Sequence, residues 1–144
     1  MYKRKIALDV GDVRIGVAVS DLLCMCANPR ETYVRNRQSV DADISYFVEY
    51  ARKEDADTFV VGLPKNMDGT EGIRAQLTRE FGELLRTASG LNVVYEDERL
   101  TTVSAEELLI EAGLRREKRK QVIDKVAAAI ILQSYLDRTA GSKK

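Results

Sequence analysis

The sequence predicts an α/β domain on a five-stranded mixed sheet, with its elements in the order βββαβαβαα. Three observations lead there. Short β-branched runs crowd the first third of the chain. Later segments switch to helical spacing and alternate with further short apolar runs. A hairpin followed by alternating helix and strand places parallel strands beside antiparallel ones, with helices packed on the sheet.

The runs at 5–10 and 15–20 are separated by GDVR, which reads as a hairpin turn. A third strand is expected at 30–34, after a loop containing Asn28-Pro29. Ile44, Phe47, Val48 and Ala51 fall at i, i+3, i+4 and i+7, one apolar face of a helix. TFVVGL at 58–63 is a compact buried strand that stops at Pro64. The polar loop KNMDGTEG leads into a second helix with Ile73, Leu77, Phe81, Leu84, Leu85 and Ala88 on one side and Gly90 as its C-cap. A fifth strand at 92–95 runs into EDERLTT, whose Thr101 and Thr102 read as helix caps. Ala105, Leu108, Leu109 and Ala112 mark a third helix, and the basic stretch RREKRK precedes a last helix from about 122 to 137. Phe47, Phe59 and Phe81 belong to the core. With no linker or repeat, the chain reads as one domain over 1–138 and a flexible tail at 139–144.

Composition excludes several chemistries. Lys plus Arg (23) equals Asp plus Glu (23), so a nucleic-acid partner has to be met by a local basic patch. There is no histidine, which removes His-based acid–base work, Ser-His-Asp and Cys-His catalysis, and His-ligated zinc. Cys24 and Cys26 are too few for a four-thiolate site and too close in sequence to pair with each other; they read as small hydrophobes in a loop. No signal-peptide apolar region opens the chain and no run reaches membrane-spanning length, so a cytoplasmic protein without membrane contact is expected.

Asp9 stands out because it lies between Leu8 and Val10 near the end of an otherwise apolar strand. A buried unpaired charge is costly, so Asp9 is solvated at the strand end, ties down the GDVR turn, or holds a cation. Glu96, Asp97 and Glu98 close the fifth strand, and Asp124 opens the last helix, where it also suits the helix dipole. Acidic sites at three element ends can converge on one rim of the sheet. Carboxylates without histidine are the hard oxygen donors that Mg²⁺ or Mn²⁺ takes.

Four blocks sharpen this reading: IALDVGDVRIGVAVSD at 6–21, VVGLPKNMDGTEG at 60–72, DERLTTVSAEELL at 97–109 and IDKVAAAIILQSYLD at 123–137. Together they resemble the YqgF (RuvX-like) family, small proteins of RNase H-like fold. The resemblance covers nearly the whole domain; it departs at Val13, where the family often carries a basic residue. It implies a catalytic and metal-holding trio of Asp9, Glu98 and Asp124, with Asp97 as the alternative second acid. It also implies two-ion phosphodiester hydrolysis, in which Asp9 bridges both ions. No histidine or protein nucleophile is needed for that chemistry.

Several residues are candidates to hold nucleic acid. Arg14 follows the turn beside Asp9, and Lys65 and Asn66 follow the fourth strand. Gly69 and Gly72 open the second helix, whose N-terminus suits an anion, though simple turn chemistry explains them equally. Arg99 either orients Glu98, contacts substrate or forms a surface ion pair. Arg115, Arg116, Lys118, Arg119 and Lys120 form the strongest basic cluster, read as a contact to the nucleic-acid backbone.

The resemblance offers two substrates, the 5′ end of precursor 16S ribosomal RNA, within pre-ribosomal particles, or a four-way DNA junction. RNA is the favoured partner, because the junction role leans on fold analogy and expects a two-fold dimer. Monomer and homodimer both stay open. Two other classes compete: a non-catalytic RNA-binding assembly factor, and a sugar-kinase-like phosphate binder, which would need a second domain over the nucleotide.

Overall fold

Alternation along the strands decides which helices cover which face of the sheet. The computed structural model describes residues 3–99 and 101–141. The strands β1 (Arg4–Val10), β2 (Arg14–Ser20) and β3 (Ala27–Val34) form an antiparallel meander. Beyond β1, β4 (Ala56–Leu63) and β5 (Asn92–Asp97) are added in parallel, which gives the sheet order β3-β2-β1-β4-β5. The helices are α1 (Val40–Glu54), α2 (Ile73–Ser89), α3 (Thr101–Glu111) and α4 (Arg116–Gly141). Element order and mixed pairing match the sequence expectation. No described helix is long and apolar enough to cross a membrane.

One face carries the large side chains: Ile6 and Leu8 on β1, Ile15, Val17 and Val19 on β2, and Phe59 and Val61 on β4. They pack against Ile44, Phe47, Phe81 and Leu85 of α1 and α2. The opposite face is built from small residues, Ala7, Ala18 and Val60, under Ala128, Ile131, Leu132 and Leu136 of α4. Small side chains let α4 lie close to the sheet. At Gly16 the approach is closest, since a Cβ there would stand 2.0 Å from the Asp124 carbonyl oxygen. Asp124, Ala128, Leu132 and Leu136 recur every four residues, so Asp124 heads the stripe that α4 turns to the sheet.

A buried polar network fixes the β1–β2 turn from the other side. Asp43, fully buried on α1, accepts from the Tyr33 hydroxyl (2.8 Å), Arg35 Nε (3.0 Å) and the Asn36 amide (2.9 Å). Arg35 Nη1 in turn donates to the Gly11 carbonyl at 2.9 Å. Removing one partner from a buried, well-bonded ion pair leaves the other charge uncompensated, so this network resists disruption.

Several sequence expectations are corrected. β3 begins at Ala27, so Asn28-Pro29 lies inside a strand and not in a loop. Pro29 is accommodated because β3 is an edge strand and the register shifts between Val17 and Ala18, opposite it. The buried side of α2 runs through Ala75, Thr78, Phe81, Gly82 and Leu85, whereas Ile73, Leu77 and Leu84 are exposed. The Tyr95 ring lies over Gly82 and draws this small-residue side to the sheet. On α3, Ala105 and Leu109 are buried and Leu108 is exposed; the capping expected of Thr101 and Thr102 lies outside the described side chains. The last helix starts at Arg116 and includes most of the basic stretch, and it runs through 139–141, where a tail was expected. Asp124 therefore lies well inside α4, beyond the first turn where a helix dipole acts. Cys24 and Cys26 are free thiols, as expected.

Gly16→Ala should be the most damaging glycine change, because the added methyl meets backbone that cannot step aside. A loss on the order of 3 kcal/mol is expected, seen as a fall in Tm on the order of 10 °C. Gly82→Ala meets only the end of the Tyr95 side chain and should cost less; equal thermal shifts for the two would contradict the difference.

Candidate active site

The parallel strands β1, β4 and β5 all end at the same edge, and open α/β sheets bind ligands beyond those carboxyl ends. Period two settles where each acid points. Asp9 shares the face of Ala7, the α4 face. On β5, Val94 packs on the α4 side and Glu96 bonds Ser134 and Arg138 of α4. Glu98 follows in the same phase just beyond the strand, while Asp97 has the opposite phase. Glu98 is held in place by its amide, which donates to the Leu63 carbonyl at 3.2 Å.

Asp9, Glu98 and Asp124 line one pocket of about 300 Å³, together with Lys65, Arg74 and Arg99. Gly62 makes room for Glu98, because a Cβ there would come within 2.8 Å of Oε2. The Asp9 and Glu98 carboxyls are close enough to shift each other's titration. Burial, then the charge of Asp9, pushes the Glu98 carboxyl up to about 9. Burial also raises Asp9; the hydrogen bond from Glu98 opposes this and the charge of Asp124 adds to it. Asp124 is turned to Arg14, whose Nε donates to Oδ2 at 2.8 Å.

The three acids thus share a pocket without surrounding one point. Among the described residues no group of three acidic, cysteine or histidine side chains encloses a single ion position. The donor set nevertheless suits a divalent cation. Two carboxyls stand in one recess where Gly62 makes room for Glu98, with Asp124 in the same lining, a set of hard oxygen donors of the kind a divalent cation takes.

The other sequence candidates divide sharply. Asp97 is outside the pocket lining and accepts from the Arg99 amide (3.0 Å) and Arg99 Nε (2.9 Å). Glu96, nearly buried, is bound to Ser134 and Arg138 and is occupied structurally. Arg99 also donates to the Met67 carbonyl at 3.2 Å, so it braces the loop after β4 as well as lining the pocket. Asn66 closes that same loop through its amide to the Thr70 carbonyl and its side chain to Thr70 Oγ1. Lys65 reaches the pocket. Arg119 is tied to Glu106 and to the Leu114 carbonyl, joining α3 to α4. Arg115, Arg116, Lys118 and Lys120 are exposed and form no ion pair among the described residues. Arg74 was missed by sequence reasoning. Its signal was its position two residues after Gly72, in the first turn of the helix that follows the β4 loop.

A five-stranded sheet with carboxylates gathered at the ends of β1 and β5 and on the covering helix defines the RNase H-like nuclease class. The structure agrees in fold with RuvC of Thermus thermophilus in complex with a Holliday junction substrate (TM-score 0.59, 15% identity, 98% of each chain). It agrees likewise with the yeast mitochondrial Holliday junction resolvase Ydc2 (TM-score 0.61, 13% identity, 99% of this chain and 81% of that one). The chain belongs to the RuvX family, described as Holliday junction resolvase, whose model matches residues 3–138. Relatives named "Putative pre-16S rRNA nuclease" include one from Lactococcus lactis subsp. cremoris, 46% identical over 97% of this chain and 98% of its own. Another, from Symbiobacterium thermophilum, is 50% identical over 92% of this chain and 91% of its own.

The Glu98 shift has a consequence for folding. Between the ordinary carboxyl value of 4.5 and about 9, the folded protein keeps a proton that the unfolded chain releases. Its contribution to stability therefore falls as pH rises through that window. Glu98→Gln should flatten this slope and stabilise the metal-free protein at pH 8, by a gain on the order of 1 kcal/mol. Denaturant titrations from pH 5 to 9 check it; a variant less stable than wild type at pH 8 would contradict the assignment.

Proposed function

We propose that this chain is a metal-dependent nuclease that hydrolyses phosphodiester bonds in RNA, acting in 5′-end maturation of precursor 16S ribosomal RNA. The observation that carries the chemistry is the Asp9–Glu98 carboxyl pair, forced together at a strand edge with Asp124 in the same pocket. The names of the full-length relatives support the choice of substrate. A second reading, resolution of four-way DNA junctions, is favoured by the description of the family.

In this mechanism Asp9, Glu98 and Asp124 are the residues that hold Mg²⁺ or Mn²⁺. When bound, as a pair of ions, the metal would supply Lewis acidity toward the attacking water oxygen and the leaving oxygen at the phosphorus. Asp9 and Glu98 would hold the ion as ionised oxygen donors. Asp97 is assigned no role at the metal, since its carboxylate is committed to Arg99. Arg14 orients Asp124 through its Nε and, with Lys65 and Arg99, makes the pocket attractive to a phosphate. Arg115, Arg116, Lys118 and Lys120, at and just before the start of the helix that carries Asp124, contact the nucleic-acid backbone. Such contacts position the strand and carry no sequence information. We further assign the chain to the cytoplasm and its activity to a single domain over 1–138.

Asp9→Asn should abolish Mg²⁺-dependent cleavage of an end-labelled single-stranded RNA that carries the pre-16S 5′ flank. It should also remove the rise in Tm that Mg²⁺ or Mn²⁺ gives the wild type. Symmetric cutting of a synthetic DNA junction with the RNA left intact would replace the favoured substrate by the second. Binding without cleavage of either, unchanged by Asp9→Asn, would point to an assembly factor and overturn the nuclease.

Replacing Arg115, Arg116, Lys118 and Lys120 by Gln should weaken RNA binding evenly across sequences. The dependence of log affinity on log salt should become shallower by roughly 0.7 for each phosphate no longer neutralised. An unchanged salt slope would remove this face from the interface.

A further inference from the structure

We infer that Arg74 is the residue that contacts the phosphate at the carboxylate pocket, and that the same guanidinium, lining the pocket beside Asp9 and Glu98, serves as a counter-charge that competes with a divalent cation there. The phosphate half of this inference rests on the nuclease reading; the counter-charge half rests on the place of Arg74 in the same pocket lining as both carboxyls.

Four cationic side chains stand at the pocket, and their commitments differ. Arg14 is held at 2.8 Å by Asp124. Arg99 is held twice, by Asp97 at 2.9 Å and by the Met67 carbonyl at 3.2 Å. Lys65 makes no ion pair among the described residues and offers a single point charge. Among the described residues Arg74 pairs only with Asp12, at 3.4 Å, with both side chains more than 60% exposed (62% and 75%). An exposed pair of that length holds its partners weakly. Arg74 is therefore the one arginine at the site whose planar fork is free to take a phosphate in two parallel hydrogen bonds.

Its placement is equally specific. Arg74 lies in the first turn of α2, after Gly72, an N-cap without a side-chain hydrogen bond. It lines the same pocket as both carboxyls of the pair. A guanidinium in that position repels an arriving divalent cation and is repelled by it.

Two affinities should therefore move in opposite directions. Mn²⁺ binding, read by the electron-spin signal of the free ion without nucleic acid, should be roughly three- to tenfold tighter in Arg74→Ala, because a competing charge is gone. Binding of the single-stranded RNA in Ca²⁺ should be about tenfold weaker, and Mg²⁺-dependent cleavage on the order of 100-fold slower. Arg74→Lys should restore wild-type Mn²⁺ affinity, since the charge returns, but not cleavage, since the fork does not. Arg86→Ala, the same charge change on the same helix away from the pocket, should move neither affinity. Unchanged or weaker Mn²⁺ affinity in Arg74→Ala, or full cleavage by Arg74→Lys, would overturn the inference. Wild-type protein that neither binds nor cleaves the RNA would count against the nuclease reading, and the Mn²⁺ comparison would still decide the counter-charge role.

Discussion

The close approach of α4 to the sheet at Gly16 is the constraint on which the site depends. Backbone lies on backbone there, with no room for a methyl group between Gly16 and the Asp124 carbonyl. Asp9 pairs with Gly16 across the hairpin, so this one contact brings Asp124 over the strand that carries Asp9. Ala7, Ala18 and Gly62 extend the same shallow face, and large residues there would lift the helix and separate the acids. The opposite face has no such need and is filled with Ile, Leu, Val and Phe.

The two faces thus divide stability from chemistry. Behind the hairpin, the Asp43–Arg35 pair is well bonded and holds the Gly11 carbonyl, so the turn after Asp9 is fixed from the core side. In front of it, burial raises the carboxyls of Asp9 and Glu98, and the charge of Asp9 raises Glu98 further. Evolved sites tolerate such local cost where function needs it. The rigid network explains how a short turn can keep an unfavourable carboxyl pair in place.

Charge around the pocket is organised in the same spirit. The chain has no net charge, so no long-range field draws a polyanion to it. Any attraction has to be local, and the exposed basic residues at the start of α4 and the cations at the pocket rim are the groups available for it. Arg14, Arg99 and Arg119 are committed to intramolecular partners, which leaves fewer free cations than the sequence offers.

The sequence by itself determined the element order, the mixed sheet, the apolar strands and the acid at the end of β1. Those features follow from short-range periodicity and turn chemistry, which act within a few residues. It also contained the separation of Asp97 from Glu98, since alternation along Val94, Glu96 and Glu98 sets them in opposite phase, although only the packing of α4 shows which phase faces that helix. Tertiary structure alone decided the rest. Pro29 sits in a strand because β3 is an edge, Leu77 and Leu84 stay outside because Tyr95 claims Gly82, and Arg14 is bound to an acid distant in sequence. Each depends on which groups meet across the fold. Residue type fixes what a side chain can do, and only the folded chain fixes what it has left to do it with.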